Sequence, residues 1–577
     1  MAATFPALIQ PRLAAALQAT GISGDLPDGF VPSVDPAQNP QFGDYQTNAA
    51  MVLAKQVKKN PRELAAEIVE KFDGEGLTET PEIAGPGFIN FRIRKNVLEQ
   101  RVEDLLEDTD RLGVEEVTDP ETIVIDFSAP NVAKPMHVGH IRSTIIGDSL
   151  ARIARFLGHN VISDNHIGDW GTQFGMILYG WKNVLDKEAL EADPVPELLR
   201  VYKEVNKLCS EDPDLREVCK AQLVDLQAGD KENLKIWEEC VELSKVGLQK
   251  IYDKLDVAFD HWLGESFYND KLQPLVDNLV GKGIASESDG AICIFFPEHE
   301  KLADQPPAII QKGDGGFLYA TTDLATIEHR VQEFGATSIW YVVGAPQQLH
   351  FDQIFEAARL MGHNVDLQFV SFGSILGKDR KMFKTRDGDT VQLDDVLDES
   401  VARARKIVEE KNPEFPEQEK AEIARVIGIG AVKYAELSQF RMTDYIFDWD
   451  NMLALKGNTA PYLLNAYVRT RAIFRKMGSD FQGVDHIEIT EAAESALAMK
   501  LAQYAEVVPS ILTDFRPNTL ATYIYELATT YHKFWEACPV LKAEGAVKES
   551  RLALCELTGR VLKHALGLLG IQTTEKM

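Results

Sequence analysis

The stretch from Glu121 to Asn165, ETIVIDFSAPNVAKPMHVGHIRSTIIGDSLARIARFLGHNVISDN, decides how the rest of the chain is read. Residues 122–127 form a short apolar run rich in β-branched side chains, which reads as a buried strand. Ile141, Ile145, Ile146, Leu150, Ile153, Phe156 and Leu157 then recur at intervals of three and four, the period of an amphipathic helix. Gly158 stands where a helix-ending glycine belongs, and Val161-Ile162 opens a second strand. His137 and His140 therefore fall at the loop-to-helix junction of a strand–helix–strand unit. Ligands bind at that end of an open parallel sheet, and a helix N-terminus attracts phosphate.

Outward from this unit, strands and helices alternate from residue 114 to 395. TIVIDFS, HNVISDN, AICIFF, SIWYVVG and QFVSFGS are the strand candidates, which implies a mostly parallel sheet covered by helices. Residues 185–260 are nearly all charged helix and read as an insertion between the sheet halves. Residues 1–113 read as a separate α/β unit, with a helix from Pro61 to Phe72, a strand from Gly87 to Ile93, and a long loop over 21–43. After residue 396 strand signals fade and an all-helical region is expected. One helix starts at Asn458-Thr-Ala-Pro461, with a cap residue and a first-turn proline. In another, 518–538, the stripe Leu520, Tyr523, Ile524, Leu527, Tyr531, Phe534 and Trp535 reads as core rather than as a base-stacking platform.

The 577 residues are too many for one core, so three or four domains are expected. A hydrophobic share of 45% and a charged share of 26% are globular values. Nothing is apolar for long enough to span a membrane. The first residues, MAATFPALIQPRLAAALQ, read as a first helix, since no basic head precedes the apolar part. The six cysteines form no C-x-x-C pair, which argues against a zinc knuckle and a disulfide framework and for a reducing compartment, the cytoplasm. A net charge of −29 argues against general affinity for polyanions, but basic islands stand within it. KDRKMFKTR, residues 378–386, carries five basic groups and one acid, and RTRAIFRK, residues 469–476, carries four basic groups.

The pattern H-V-G-H, expected by chance ~0.02 times in a chain of this composition, points to phosphate chemistry. Two imidazolium donors at a helix start can stabilise a developing phosphorane with no covalent intermediate, and Gly139 would let a flat base approach the backbone. A pair of helix-capping histidines is the plainer reading. A metal site would need a third ligand, and none stands out. An adenylyl transfer also releases pyrophosphate, whose charge calls for cations; Lys381 and Lys384 in the Gly/Asp-flanked loop GKDRKMFKTRDGD suit that task.

H-x-G-H early and K-M-x-K late resemble the HIGH and KMSKS motifs of class I aminoacyl-tRNA synthetases. SAPNVAKPMHVGHIRSTIIGDSLARI, NHIGDWGTQFGMI, GAVKYAELSQFRMTDYIFDWDNML and GNTAPYLLNAYVR resemble the arginyl-tRNA synthetase family in particular. With QFGDYQ and AGPGFIN the likeness covers nearly the whole chain. It departs in KMFKT, where phenylalanine and threonine replace two serines.

The resemblance implies a Rossmann-type catalytic domain over 114–395 with the 185–260 insertion. It further implies an N-terminal added domain (1–113) touching the D-loop corner of tRNA, and a helical stem with an anticodon-binding domain (396–577). It implies ATP binding at His137, Gly139, His140, Lys381 and Lys384, with the histidines and lysines catalytic. Arginine contacts are implied at Ala129, Pro130, Asn131, His140, Glu265, Tyr319, Asp323 and Gln347. Phe88, Asn90, Arg469 and Arg471 become tRNA contacts. The implied substrates are L-arginine, the cognate tRNA for arginine and ATP with Mg2+; no protein-bound structural metal is expected, and the chain is read as a cytoplasmic monomer. On its residues alone Asp323 reads as a helix cap, because it precedes an apolar-periodic stretch. A nucleotidylyltransferase and a non-catalytic tRNA-binding paralogue are the rival readings.

Overall fold

The computed structural model describes residues 3–577 apart from 22–29, 38, 40 and 382–390. The N-terminal unit packs the helices Phe5–Ala19, Ala49–Ala54 and Pro61–Lys71 against an antiparallel sheet. Its strands β1 (Asp35–Pro36), β2 (Tyr45–Thr47), β3 (Glu82–Ala84) and β4 (Phe88–Phe91) lie in the order β1-β2-β4-β3. The helix from Pro61 begins as its sequence implies, with the Asn60 carboxamide oxygen accepting Arg62 N–H at 2.9 Å. The stretch 21–43, expected to be loop throughout, contributes β1, which pairs with Gln46 and Tyr45; much of the rest lies outside the described residues.

The catalytic sheet is parallel and four-stranded. β5 (Thr122–Asp126) and β6 (Asn160–Asp164) are joined by the helix Gly139–Phe156, whose glycine at 158 takes a left-handed φ of 96°. The chain later returns to the other side of β5 to form β10 (Ser338–Tyr341) and β11 (Asp366–Phe369), giving the order β11-β10-β5-β6. Every residue of β10 is buried, as a strand covered on both faces requires. The reversal of direction between β5 and β10 leaves a crevice beyond their C-terminal ends, the place where doubly wound sheets bind ligands.

Between β6 and β10 come the helical insertion and a second small sheet. The helices Lys187–Ala192, Pro194–Glu211, Pro213–Gln227 and Lys231–Leu255 fill the expected 185–260 region. AICIFF does not join the parallel sheet. Its residues form β8 (Ala291–Ile294), central in an antiparallel sheet between β7 (Ala285–Ser288) and β9 (Ala308–Gln311). Short apolar runs suit either environment, and here hairpin connections decided.

The C-terminal third is helical, with one exception to the expected loss of strands: β12 (Ile375–Leu376) pairs in parallel with β13 (Tyr445–Ile446). The stem begins at Leu393, before the expected boundary, with Leu393–Lys411 packed on Glu417–Leu437. Thr459 Oγ1 caps the helix Ala460–Met477 by accepting Tyr462 N–H at 3.3 Å. In Pro517–Ala537 the stripe Leu520, Tyr523, Ile524, Leu527, Tyr531 and Phe534 is buried core, as read, with Trp535 only partly covered.

Long-range ties hold the helix Gly139–Phe156 to the C-terminal region, and the N-terminal unit to the same region. Arg142, buried on that helix, donates to Glu436 at 3.0 Å, and Tyr445 on β13 donates to the same carboxylate. Lys433 is buried with Nζ bonded to Gly570 O at 2.7 Å, close to Asp148. The helix Lys95–Glu107 lies against Ala492–Ala502, and Glu103 and Glu99 accept the backbone N–H groups of Ile487 and Ile489. One hydrophobic core therefore runs from the N-terminal unit through the catalytic helix into the C-terminal bundle.

Candidate active site

The segment leaving β5 is held in an unfavourable backbone conformation. Ser128, Ala129 and Ala133 have positive φ values of 74°, 44° and 59° without being glycine. Such residues cost about 1–3 kcal/mol each and persist where surrounding bonds over-determine them. Here the bonds are explicit: Ser128 N–H donates to Ser143 Oγ at 2.8 Å, Ala129 N–H to Asn165 Oδ1 at 3.1 Å, and Ala133 N–H to Ser244 Oγ at 3.0 Å. Asn131 bridges to Gly168, so the Ala129–Asn131 segment is clamped against the loop after β6 with Asn131 exposed.

His137 and His140 meet at the start of the catalytic helix, ring centroids 4.0 Å apart. His137 Nδ1 accepts Gly139 N–H at 3.0 Å, and His140 Nδ1 accepts His137 N–H at 3.1 Å. Burial lowers the pKa of both; for His140, burial and then the neighbouring His137 push it down to about 4. Burial thus works against the expected imidazolium pair by disfavouring the charged form of both rings. With Nδ1 accepting, the ring proton sits on Nε2, and each histidine keeps one outward N–H donor. The local bonds use Nδ1 of each ring and leave Nε2 out of them. Gly139 is also required locally, because a Cβ there would lie 2.7 Å from the His137 ring.

The basic loop reaches this helix through its downstream flank. Val138 N–H donates to Val391 O and Leu393 N–H to Met136 O, both at 2.9 Å. Upstream, β12 leads into a tight turn in which Gly377 N–H donates to Lys381 O at 2.8 Å and Arg380 has a φ of 60°. Lys381 is exposed; Lys384 lies outside the described residues.

At the crevice between β5 and β10 stand the carboxylates. Asp323 does not cap its helix. Tyr319–Gln332 begins four residues earlier, so Asp323 sits in the second turn with its Oδ2 2.5 Å from His350 Nε2. Glu265, on a short turn Glu265–Tyr268, has its pKa raised by burial first, with Asp169 and Asp323 adding to the effect and His166 opposing it. Asp169 fixes that turn by accepting Ser266 N–H at 2.8 Å and Ser266 Oγ–H at 2.7 Å. Burial and then the charge of Glu265 raise the pKa of Tyr319, which is 68% exposed. Gln347 is exposed on the turn Ala345–Gln347, next to the bridge between Gly344 and Phe372. Among the described residues no lysine or arginine lies within ion-pair distance of Asp323 or Glu265. A planar cation entering this crevice would meet two carboxyl groups with no lysine or arginine beside them among the described residues.

Beneath them Arg330 is buried, with Nη2 at 2.7 Å from Asp126 and 2.8 Å from Asp164, the last residues of β5 and β6. Sequence reading missed this clamp, and also missed His350, His166 and Asn165. His350 follows Gln347 by three residues, and His166 and Asn165 lie within or beside the NHIGDW stretch, so position within the motifs was the available signal.

The four residues read as tRNA contacts fall into two kinds. Phe88 is partly exposed, but Asn90 on the same strand is 3% exposed and its amide donates to Glu82 O at 3.3 Å. Asn90 therefore supports the sheet and is not open to a partner. Arg469 is exposed beside His532, whereas Arg471 is engaged with Glu556 at 2.6 Å.

Comparison with known proteins agrees with this arrangement. The model for the class I tRNA synthetase (R) catalytic domain matches residues 101–449. The chain belongs to the arginyl-tRNA synthetase family. The family's N-terminal domain matches residues 7–93, and a DALR anticodon binding domain matches 463–577. The arginine–tRNA ligase of Laribacter hongkongensis is 46% identical over 581 residues, covering 100% of both chains. That of Vibrio vulnificus is 45% identical, covering 99% of each. Among solved structures, Plasmodium falciparum arginyl-tRNA synthetase superposes with a TM-score of 0.84 at 28% identity over 100% of both chains. The Thermus thermophilus enzyme shares the fold, with a TM-score of 0.82 at 23% identity over 99% of this chain and 100% of its own.

Proposed function

We propose that the chain ligates L-arginine to its cognate tRNA, using ATP brought in as its Mg2+ complex. In the first step an arginine carboxylate oxygen attacks the α-phosphorus; the bond to the β-phosphate breaks, giving arginyl-adenylate and pyrophosphate. In the second, the 2′-hydroxyl of the terminal tRNA adenosine attacks the arginyl carbonyl and AMP leaves. The observation that carries this reading is the conjunction of three features at one end of the parallel sheet. They are a histidine pair whose Nδ1 atoms take local bonds, a basic loop whose flank bonds to Met136 and Val138 on either side of His137, and two carboxyl groups with no lysine or arginine at ion-pair distance among the described residues.

His137 and His140 would donate to the α-phosphate as charge builds there, and Lys381 and Lys384 would hold the departing pyrophosphate. Asp323 and Glu265 would take the guanidinium, with Tyr319, Gln347 and the Ala129–Asn131 segment completing the amino-acid site. Phe88 and Arg469 are the exposed members of the tRNA set. We further assign a monomer acting in the cytoplasm, in keeping with six free cysteines. Amino-acid-dependent exchange of pyrophosphate into ATP, run with each amino acid with and without tRNA, tests the whole reading. Exchange with arginine alone, followed by arginylation of tRNA, is expected; activation of another amino acid, or none, would refute it.

A further inference from the structure

The assignment of Asp323 as a guanidinium acceptor, on which this inference rests, raises a question of aim. The terminal torsion of an aspartate is broad, so an unsupported carboxylate presents no fixed plane to a planar fork. In the second turn of its helix Asp323 has no capping bond to hold it. What holds it comes from another element. His350, in the first turn of the helix Gln348–Met361, brings Nε2 to 2.5 Å from Asp323 Oδ2. The His350 ring stands edge-on to Phe351 at 5.2 Å, and Phe351 is itself buried against Tyr341 and Phe369 at the ends of β10 and β11. The donor is thus fixed to the sheet, and it follows by three residues Gln347, on the lip of the same crevice.

The chemistry of the donor matters as much as its position. Elsewhere in this chain the buried carboxylates Asp126 and Asp164 are held by Arg330, and Glu436 by Arg142, whereas Asp323 is partly buried. An arginine or lysine beside Asp323 would orient it equally well, but would spend the charge that a substrate guanidinium needs. An imidazole orients the carboxylate through a single ring nitrogen, 2.5 Å from Oδ2. Oδ1 and the second lone pair of Oδ2 stay available for two parallel N–H donors. We propose that His350 is a positioning residue for arginine selection, donating Nε2–H to Asp323 Oδ2 so that the carboxylate keeps its plane for the substrate.

Three substitutions separate this role from plain structural support: His350→Ala removes the donor, His350→Gln restores an uncharged donor, and His350→Lys supplies a charged one. Pyrophosphate exchange with tRNA present would give KM for arginine and for ATP, and kcat, alongside the thermal midpoint. His350→Ala should raise KM for arginine about tenfold or more, the effect of losing a hydrogen bond to a charged group, and change KM for ATP by less than about twofold. His350→Gln should recover most of that loss. His350→Lys should bind arginine worse than His350→Ala does, although its ion pair with Asp323 would hold the fold at least as well. Equal rises in both KM values, no recovery with glutamine, or arginine binding by His350→Lys as tight as wild type would each overturn the proposal. Should His350→Ala fail to fold, the contrast between glutamine and lysine decides. A wild-type protein with no arginine-dependent exchange would sink the proposed activity and this inference with it. Arginine-specific wild type with an unaltered His350→Ala removes the role of His350 alone.

Discussion

Replacing Asp323 by asparagine separates recognition from stability more sharply than any other change at the site. Asparagine keeps the size and one acceptor oxygen, and His350 Nε2–H can still be satisfied by that oxygen. The amide nitrogen then faces the crevice, where a guanidinium brings donors of its own. One charge-assisted hydrogen bond is lost, about 1.5–3 kcal/mol, and a donor–donor contact replaces it. A total near 3–4 kcal/mol corresponds to about 10²–10³ in kcat/KM for arginine, at 1.4 kcal/mol per factor of ten. The fold, by contrast, should lose nothing. Asp323 caps no helix, and its charge adds to the burial that already raises the Glu265 pKa, so neutralising it relieves repulsion. Stability should stay within about 0.5 kcal/mol of wild type or rise, a shift of roughly 2 °C at most in the thermal midpoint. Exchange kinetics and calorimetry on one preparation supply both numbers. An arginine kcat/KM within about threefold of wild type, or a midpoint lowered by several degrees, would refute the argument.

His140→Ala should lower kcat far more than it raises KM for ATP, by the about 2.7–4 kcal/mol typical of one preorganised donor; near-full turnover would reduce the histidine to a cap. The His140 ring, followed by NMR in the free protein, should titrate near 4, and a midpoint at or above 6.5 would restore the imidazolium reading. Lys384→Ala should slow adenylate formation while leaving tRNA affinity nearly unchanged, and the reverse pattern would move the loop to the RNA surface. Tyr45 on β2 donates to Glu506 of the C-terminal bundle at 2.6 Å, and burial pushes that carboxyl up to about 7. The folded state then holds a proton that the unfolded chain has released, so stability should fall as pH rises from about 4.5 to about 7. Glu506→Gln should flatten that part of the stability profile, and parallel profiles for the two proteins would contradict it.

The fold was legible where periodicity was strong and local. The change from alternating β-branched residues to a three-and-four apolar repeat around His137 gave β5, the catalytic helix and β6 almost residue for residue, because each element buries the face its pattern marks. AICIFF carried the same local signal as TIVIDFS yet entered a different sheet. Its partners are set by hairpin turns on either side, which a short apolar run does not encode. β13 escaped notice for the opposite reason, since two residues paired to a distant strand leave no periodicity at all.

The site was legible as a list of side-chain types and illegible as a set of charge states. H-V-G-H named the histidines, but whether they are charged depends on burial by residues far away in sequence, including a flank some 250 residues downstream that bonds to Val138 and Met136. On its residues alone Asp323 reads as a cap because the apolar repeat starts only after it, while the β-branched Thr321 and Thr322 and the aromatic Tyr319 give little sign that the helix has already begun. Asn90, a tRNA contact only by resemblance, is buried on its strand, and a short strand's alternation does not say which face its neighbours cover. In each case the missing fact was a contact between elements that sequence separation hides. The same property makes these residues informative: an aspartate that caps nothing, is held by one imidazole and has no lysine or arginine at ion-pair distance among the described residues suits the guanidinium proposed for it.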